Sequence, residues 1–192
     1  MTGPDLHAWV DESVHLDAPD GGIYVLAAAV GRPGVELDGM RETLRALVPS
    51  RQTRLHWHTE SDASRRRIID AIASMNLVQL VVVRVHVDPR RQERSRRKCM
   101  ERLLFELSDR HVREAWLEGR DTALNRRDAT LVEALRGSRS ISSDLRVDFA
   151  RPLDEPMLWV PDSVAGAVAL ARKAGRRDYR DMLAASLIEI EP

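Results

Sequence analysis

The sequence contains a single cysteine, Cys99. One thiol excludes an internal disulfide and any zinc cluster built from several cysteines. No apolar run approaches the roughly 20 residues needed to span a bilayer. Residues 1–5 have neither the basic region nor the apolar region of a secretory signal. We therefore expect a cytoplasmic protein that does not insert into membranes.

Aromatic residues make up only 4% of the chain, which argues against a base-stacking platform for single-stranded nucleic acid. The formal net charge is zero, with 30 basic and 30 acidic residues. Zero net charge excludes binding to polyanions through overall charge but allows local basic patches. The length of 192 residues and the 43% hydrophobic content predict a single domain over residues 1–192.

The first half of the chain opens with a predicted β-hairpin. Residues 6–11 read as a strand, residues 17–22 carry a dense turn signal, and residues 23–30 form a continuous apolar run typical of a second strand. Apolar residues at helical spacing predict a helix that Pro49 ends, and the short alternating segment 54–58 predicts a third strand.

The second half alternates between helices and strands. A helix carries Ile68, Ile72 and Met75, with Thr59 and Asp62 at the spacing of a capping box. The valine-rich run 77–87 predicts a strand buried on both faces. The remaining expected elements are a helix through 100–107, a strand at 112–118, a helix at 125–135, an edge strand at 145–149, a brief strand at 157–160 and a helix opened by Pro161-Asp162-Ser163.

This order predicts an α/β fold in which helices cover both faces of a mixed sheet. We expect residues 6–11 near the centre of the sheet and residues 77–87 in the same sheet.

Three short motifs carry a resemblance to a known family. They are Asp11-Glu12-Ser13 after the first strand, Leu55-His56-Trp57-His58-Thr59-Glu60, and the segment 158–167, which delivers Asp162. In this order they resemble the domain-of-unknown-function 3800 family. The sequence departs from that family at Val14, where glycine is usual, and at Glu118, where aspartate is usual.

The resemblance implies a ribonuclease-H-like mixed β-sheet and a nuclease site that uses Mg²⁺ or Mn²⁺. The implied catalytic residues and metal ligands are Asp11, Glu60, Glu118 and Asp162, with Asp121 as the alternative to Glu118 among the ligands. Hard divalent cations prefer oxygen ligands, and two of them about 4 Å apart can serve an in-line phosphoryl displacement.

Each of these acids also has a simple structural interpretation. Asp162 has the position of a helix N-cap, Glu60 suits the N-terminus of a helix dipole, and Glu118 can be a surface acid. Strand alternation places Glu12 on the face opposite Asp11. His56 and His58 would share one strand face, but a zinc site needs a further ligand.

A basic run lies between residues 90 and 102. Its members are Arg90, Arg91, Arg94, Arg96, Arg97, Lys98 and Arg102, and the sequence places them on the polar face of a helix. They form either a solvated face or a ridge that binds phosphate, for which we name Arg90, Arg91, Arg94, Arg97 and Lys98. Two functions remain open: a nuclease, or a non-catalytic domain that binds nucleic acid or a protein partner.

Overall fold

A computed structural model describes residues 5–16 and 21–192 of the chain. One six-stranded mixed sheet forms its centre, with the strand order β5-β4-β1-β2-β3-β6. Strands β1, β2 and β3 pair antiparallel, β4 and β5 run parallel to β1, and β6 runs parallel to β3. The strands are β1 (Leu6–His15), β2 (Gly22–Gly31), β3 (Val78–Val87), β4 (Val112–Glu118), β5 (Arg146–Ala150) and β6 (Leu187–Ile190).

In the described parts of the chain, six α-helices and three short 3₁₀ helices connect the strands. The α-helices are α1 (Val35–Leu47), α2 (Asp62–Ala73), α3 (Gln92–Asp109), α4 (Thr122–Gly137), α5 (Trp159–Ala174) and α6 (Asp178–Met182); the 3₁₀ helices are Trp57–Thr59, Pro89–Arg91 and Pro156–Leu158. Within the described residues, none of these helices has the length and apolar character to cross a bilayer.

Strand alternation divides the apolar residues between two cores. On the first face of the sheet, Trp9, Val25 and Ala27 pack with α1, α2, α5 and α6. On the second face, Val10 and Leu26 pack with α3 and α4. Every residue from Trp159 to Ala169 is buried, so α5 is the most enclosed helix of the first face.

The hairpin and its place in the sheet confirm the sequence analysis. Nine consecutive residue pairs join β1 to β2, with Asp11 opposite Ala27. Strand β1 lies in the interior of the sheet, and residues 77–87 supply β3 of the same sheet. The edge strand at 145–149 is β5. Residues 17–20 of the predicted turn lie outside the described residues.

Two predicted strands are wrong. Residues 54–58 form a loop that enters the 3₁₀ helix Trp57–Thr59, because Trp57 is buried against helices rather than in a sheet. Residues 157–160 belong to the 3₁₀ helix Pro156–Leu158 and the start of α5. A helix buried on all sides has a continuous apolar sequence that periodicity cannot distinguish from a buried strand.

The predicted capping box is also wrong. The N-cap of α2 is Ser61, whose hydroxyl accepts a hydrogen bond from the Ser64 amide at 3.2 Å. Thr59 instead donates its hydroxyl to the His56 carbonyl at 3.0 Å. The sequence analysis did not predict α6 or β6, which are short.

Candidate active site

Three carboxylates converge where the parallel pairing of β1 with β4 ends. Strand β1 is paired with β4 up to Val10 and Leu117, so the next residue of each strand is Asp11 and Glu118. Helix α5 packs across β1 and β2 on the first face and brings Asp162 to the same point. The three acids line a cavity of about 230 Å³, with Glu12, Arg54, His56, His58 and Arg120 among the other lining residues.

Asp11 is the most enclosed acid of the cavity, with 8% of its surface exposed. One carboxylate oxygen accepts the Glu12 amide at 2.7 Å, and Asp11 lines the cavity together with Glu118. Burial, followed by the charges of Glu118 and Asp162, raises the pKa of Asp11 well above its ordinary value. Two buried carboxyl groups so close together cannot both ionise cheaply, so their proximity favours the protonated form of Asp11.

Glu118 has a partial cationic partner. Arg54 lies 3.8 Å from its carboxylate, a distance at which the ion pair is weak. Burial raises the pKa of Glu118 in spite of Arg54. The contact with Arg54 therefore does not neutralise the negative charge of Asp11, Glu118 and Asp162.

Asp162 is held by the loop that precedes α2. Its Oδ2 accepts the Trp57 amide at 2.9 Å and lies 3.3 Å from Nδ1 of His56. This hydrogen bond raises the pKa of His56. Helix α5 begins at Trp159, so Asp162 lies in the first turn and does not cap the helix, contrary to the simple structural interpretation.

A glycine on α5 allows this loop to approach. A Cβ on Gly166 would lie 2.1 Å from Cδ1 of Trp57, which is far inside van der Waals contact. The Trp57 ring also packs edge-on against Tyr179, with centroids 5.3 Å apart, and the Arg65 guanidinium lies 4.9 Å above it. Packing around Trp57 therefore positions the amide that binds Asp162.

The structure places Glu60 and Asp121 outside this cluster. Glu60 is buried and accepts the Ser64 hydroxyl at 2.6 Å, so it serves the start of α2. Asp121 is exposed and caps α4 by accepting the Leu124 amide at 2.9 Å. Neither is among the described residues that line the cavity, and the geometry does not support their expected roles as ligands.

Glu12 points to the second face, as strand alternation predicted. It accepts a hydrogen bond from Arg96, which also binds Asp128 at 2.8 Å and the Tyr24 hydroxyl at 3.3 Å. Arg96 was expected on a polar helix face, but only 2% of it is exposed. The sequence contained a signal for this burial, because Arg96 lies at helical spacing from Met100, Leu103 and Leu107 and so shares the apolar face of α3.

Arg120 extends these ion pairs. It donates to Glu93 at 2.8 Å and to Asp128 at 3.1 Å, and it lines the carboxylate cavity. We call the set Glu12, Arg96, Asp128, Arg120 and Glu93 the ion network. Sequence reasoning missed it because its members come from β1, α3, α4 and the loop before α4.

A row of histidines flanks the cavity. The rings of His56 and His58 lie 5.8 Å apart, and those of His58 and His15 lie 5.4 Å apart. Burial, followed by the charge of His58, lowers the pKa of His15. Across the described residues, no three histidine, cysteine, aspartate or glutamate side chains already have the arrangement of a metal-binding group.

The sequence matches no protein-family model and no curated protein. Among solved structures, a chain from "Structure of the PCNA:RNase HII complex from Archaeoglobus fulgidus" matches with a TM-score of 0.53 and 17% identity, over 92% of this chain and 78% of that one. Bst-RNase HIII in complex with Mn²⁺ matches with a TM-score of 0.52 and 16% identity, over 90% of this chain and 56% of that one.

These similarities establish the fold. The mixed six-stranded sheet with its helices, together with the similarity to these structures, identifies a ribonuclease-H-like α/β fold, as the sequence analysis predicted. At such low identity the function must be argued from the site.

Proposed function

We propose that the protein is a divalent-metal-dependent nuclease whose site is formed by Asp11, Glu118 and Asp162. The observation that carries this proposal is their convergence in one cavity without enough positive charge to neutralise them. Clusters of buried like charges are costly, and strongly perturbed carboxyl pKa values in a cleft are typical of functional sites.

The donor set fits Mg²⁺ or Mn²⁺. Both cations take oxygen ligands and keep several waters, so a few carboxylates suffice. Asp11, Glu118 and Asp162 would hold the metal, and the raised pKa of Asp11 is the expected property of a carboxyl group that a cation stabilises. Bound there, the cation would supply Lewis-acid chemistry toward a phosphodiester.

The rim of the cavity fits an anionic substrate. Arg54, His56 and Arg120 line it beside the carboxylates, and guanidinium groups bind phosphate oxygens in a fork geometry. His56 is fixed by Asp162 at 3.3 Å. These residues would orient the phosphate group while the carboxylates hold the metal.

Two further observations support the proposal. The similar solved structures are described as RNase HII and as RNase HIII with Mn²⁺. The motifs that resemble the domain-of-unknown-function 3800 family also meet at the cavity, which Asp11, His56 and Asp162 line. We extend the proposal to nucleic acid as the partner, with the basic run Arg90, Arg91, Arg94, Arg97 and Lys98 contributing phosphate contacts.

The test is hydrolysis of labelled RNA, DNA and RNA–DNA hybrid with Mg²⁺ or Mn²⁺. We expect wild type to cleave at least one of these substrates. Asp11→Asn and Asp162→Asn should each lose more than about 100-fold, beyond the usual cost of disturbing an outer-shell partner. Asp70→Asn, an exposed acid on α2, is the matched control and should retain activity.

Binding of nucleic acid without cleavage, under every metal condition, would contradict the nuclease proposal. That result would favour the non-catalytic alternative, in which the same fold binds nucleic acid or a protein partner. Equal activity of wild type and Asp11→Asn would remove Asp11 from the site.

A further inference from the structure

A second cavity lies between α3 and α4 on the second face of the sheet. Its volume is about 450 Å³, within the range of roughly 300–1,000 Å³ typical of ligand pockets. Leu131 and Ala134 of α4 supply apolar surface, and Arg94, Arg97 and Arg127 contribute positive charge. We call it the α3–α4 groove.

The acids of the α3–α4 groove are already neutralised. Asp128 is buried and accepts hydrogen bonds from Arg96 at 2.8 Å and from Arg120 at 3.1 Å. Glu93 accepts from Arg120 at 2.8 Å. Both carboxylates are therefore committed to the ion network and do not compensate the arginines of the groove.

Two of those arginines have no acidic partner among the described residues. Arg97 pairs with Glu101 at 2.9 Å, whereas Arg94 on α3 and Arg127 on α4 form no ion pair with any residue in the described ranges. Both side chains are exposed. Two unpaired guanidinium groups on neighbouring helices face one groove, which is the arrangement expected for an anionic ligand.

The groove adjoins the carboxylate cavity. Arg120 lines the cavity and binds Glu93 and Asp128, which line the groove. One side chain and its two ion pairs therefore separate the two spaces. A polyanion that lies over Asp11 and Glu118 can cross Arg120 and reach Arg94 and Arg127.

We propose that the α3–α4 groove binds a backbone phosphate of the nucleic acid whose reacting phosphodiester lies at the carboxylate cavity. This inference rests on the proposed function and adds the course of the substrate across the protein. The carboxylates of the cavity repel a polyanion in the absence of a cation, so cationic side chains around them must supply affinity, and the groove adds such a site beyond the rim. The basic run is thereby divided: Arg94 and Arg97 line the groove with Arg127, while Arg90, Arg91 and Lys98 do not.

The test is binding of labelled DNA duplex, RNA–DNA hybrid and single-stranded RNA in EDTA over a series of salt concentrations. The double variant Arg94→Gln/Arg127→Gln should weaken binding. On a duplex, the slope of log affinity against log salt should fall by roughly 0.9 for each phosphate that the variant no longer neutralises. The three substrates show which backbone the groove accepts.

The matched control is Arg67→Gln/Arg126→Gln. These arginines are exposed, form no ion pair within the described part of the chain and lie outside the groove, yet their loss changes the net charge equally. The proposal is supported if only the groove variant binds more weakly and shows a smaller slope of log affinity against log salt. It is overturned if both variants lose equally, if neither does, or if a polyglutamate peptide binds as tightly and shows the same loss.

Binding in EDTA separates this inference from the nuclease proposal. Loss of binding in the groove variant, together with absent hydrolysis by wild type, supports the groove and contradicts the nuclease. Hydrolysis by wild type, together with unchanged binding in the groove variant, supports the nuclease proposal and contradicts the groove. Circular dichroism of each variant confirms that it is folded before its affinity is compared.

Discussion

Asp11 and Glu12 are neighbours on β1, yet they occupy opposite electrostatic environments. Asp11 faces two further carboxylates, Glu118 and Asp162, whereas Glu12 binds the buried guanidinium of Arg96. In the ion network every acid accepts at least one guanidinium N–H. The comparison shows that charge compensation, rather than burial, separates an acid that stabilises the fold from one available for a ligand.

The cavity lacks this compensation. Among the described residues, Asp11 forms no ion pair, Glu118 has Arg54 at 3.8 Å and Asp162 has His56 at 3.3 Å. Such an arrangement lowers stability in the absence of a ligand, and natural sites retain it where it serves function. Substitutions in the two clusters can test this difference.

The largest effect is expected from Arg96→Met. The change leaves Glu12 and Asp128 without their shared partner, and breaking a buried ion pair from one side costs about 3–5 kcal/mol. Urea denaturation measures the loss. Arg97→Gln removes only an exposed pair with Glu101 and should cost less than about 1 kcal/mol. Equal losses of stability for the two variants would show that the buried ion pairs of Arg96 contribute no more than the exposed pair of Arg97.

The second prediction contrasts the two neighbouring acids in EDTA. Glu12→Gln should destabilise the fold by about 1.5–3 kcal/mol, because it weakens a charge-assisted hydrogen bond to Arg96. Asp11→Asn should leave stability unchanged or raise it, because it removes a repelling carboxylate. Thermal melts of both variants in EDTA show whether each substitution lowers or raises the melting temperature relative to wild type. A large loss in Asp11→Asn would make Asp11 a structural residue.

The third prediction concerns Mn²⁺ and pH. The pKa of Asp11 is raised in the folded protein, so protonation of Asp11 favours the folded state. This contribution is fully present below about pH 3.9, the pKa of an aspartate in the unfolded chain. It is lost as the pH rises through the pKa of Asp11 in the folded protein. Mn²⁺ competes with this proton. The stabilisation by Mn²⁺, about 2.7 kcal/mol at 100 times the dissociation constant, should therefore require less metal as pH increases.

Melting curves over a matrix of pH and Mn²⁺ concentration test the third prediction. Asp70→Asn should show the same shifts as wild type, and Asp11→Asn should show none. A Mn²⁺ effect that is independent of pH would place the ion away from the carboxylate pair.

The smallest effect is expected at His56. Its pKa is raised by the hydrogen bond to Asp162, so its contribution is present below about pH 6.5 and disappears as pH rises through the folded value. Its side chain is 41% exposed, and solvent screening limits the effect to a few tenths of a kcal/mol. His56→Ala should lose stability against wild type at about pH 5.5 but not at about pH 8. A constant difference would indicate packing alone.

The parts of the fold that sequence predicts well are those decided by local pattern. The apolar run of β2 and the valine-rich β3 read directly as strands. The sequence pattern did not predict that β1 pairs with β4, because local pattern does not specify which strands become neighbours. The segment around Trp57 failed because its burial depends on Gly166 and Tyr179, more than a hundred residues away. Tertiary packing overrides a local alternation of this length.

The candidate site was predicted in part for the same reason. Asp11 lies within β1, Glu118 ends β4 and Asp162 lies in the first turn of α5, and the topology brings these three positions together. Glu60 lies near a helix start as well, but its side chain turns to the Ser64 hydroxyl, and sequence does not specify that choice. Arg127 was missed because its role depends on the packing of α4 against α3.

The pairing of β1 with β4 has a kinetic consequence. Asp11 and Glu118 come together only after about a hundred residues of intervening chain have closed into a loop, and such contacts of high sequence separation are slow to form. If this pairing is completed after the rate-limiting step of folding, a cation held between the two strands is bound only by the finished protein. Mn²⁺ would then slow unfolding and leave the refolding rate unchanged. The bound ion would thus prolong the lifetime of the native state without guiding the chain toward it.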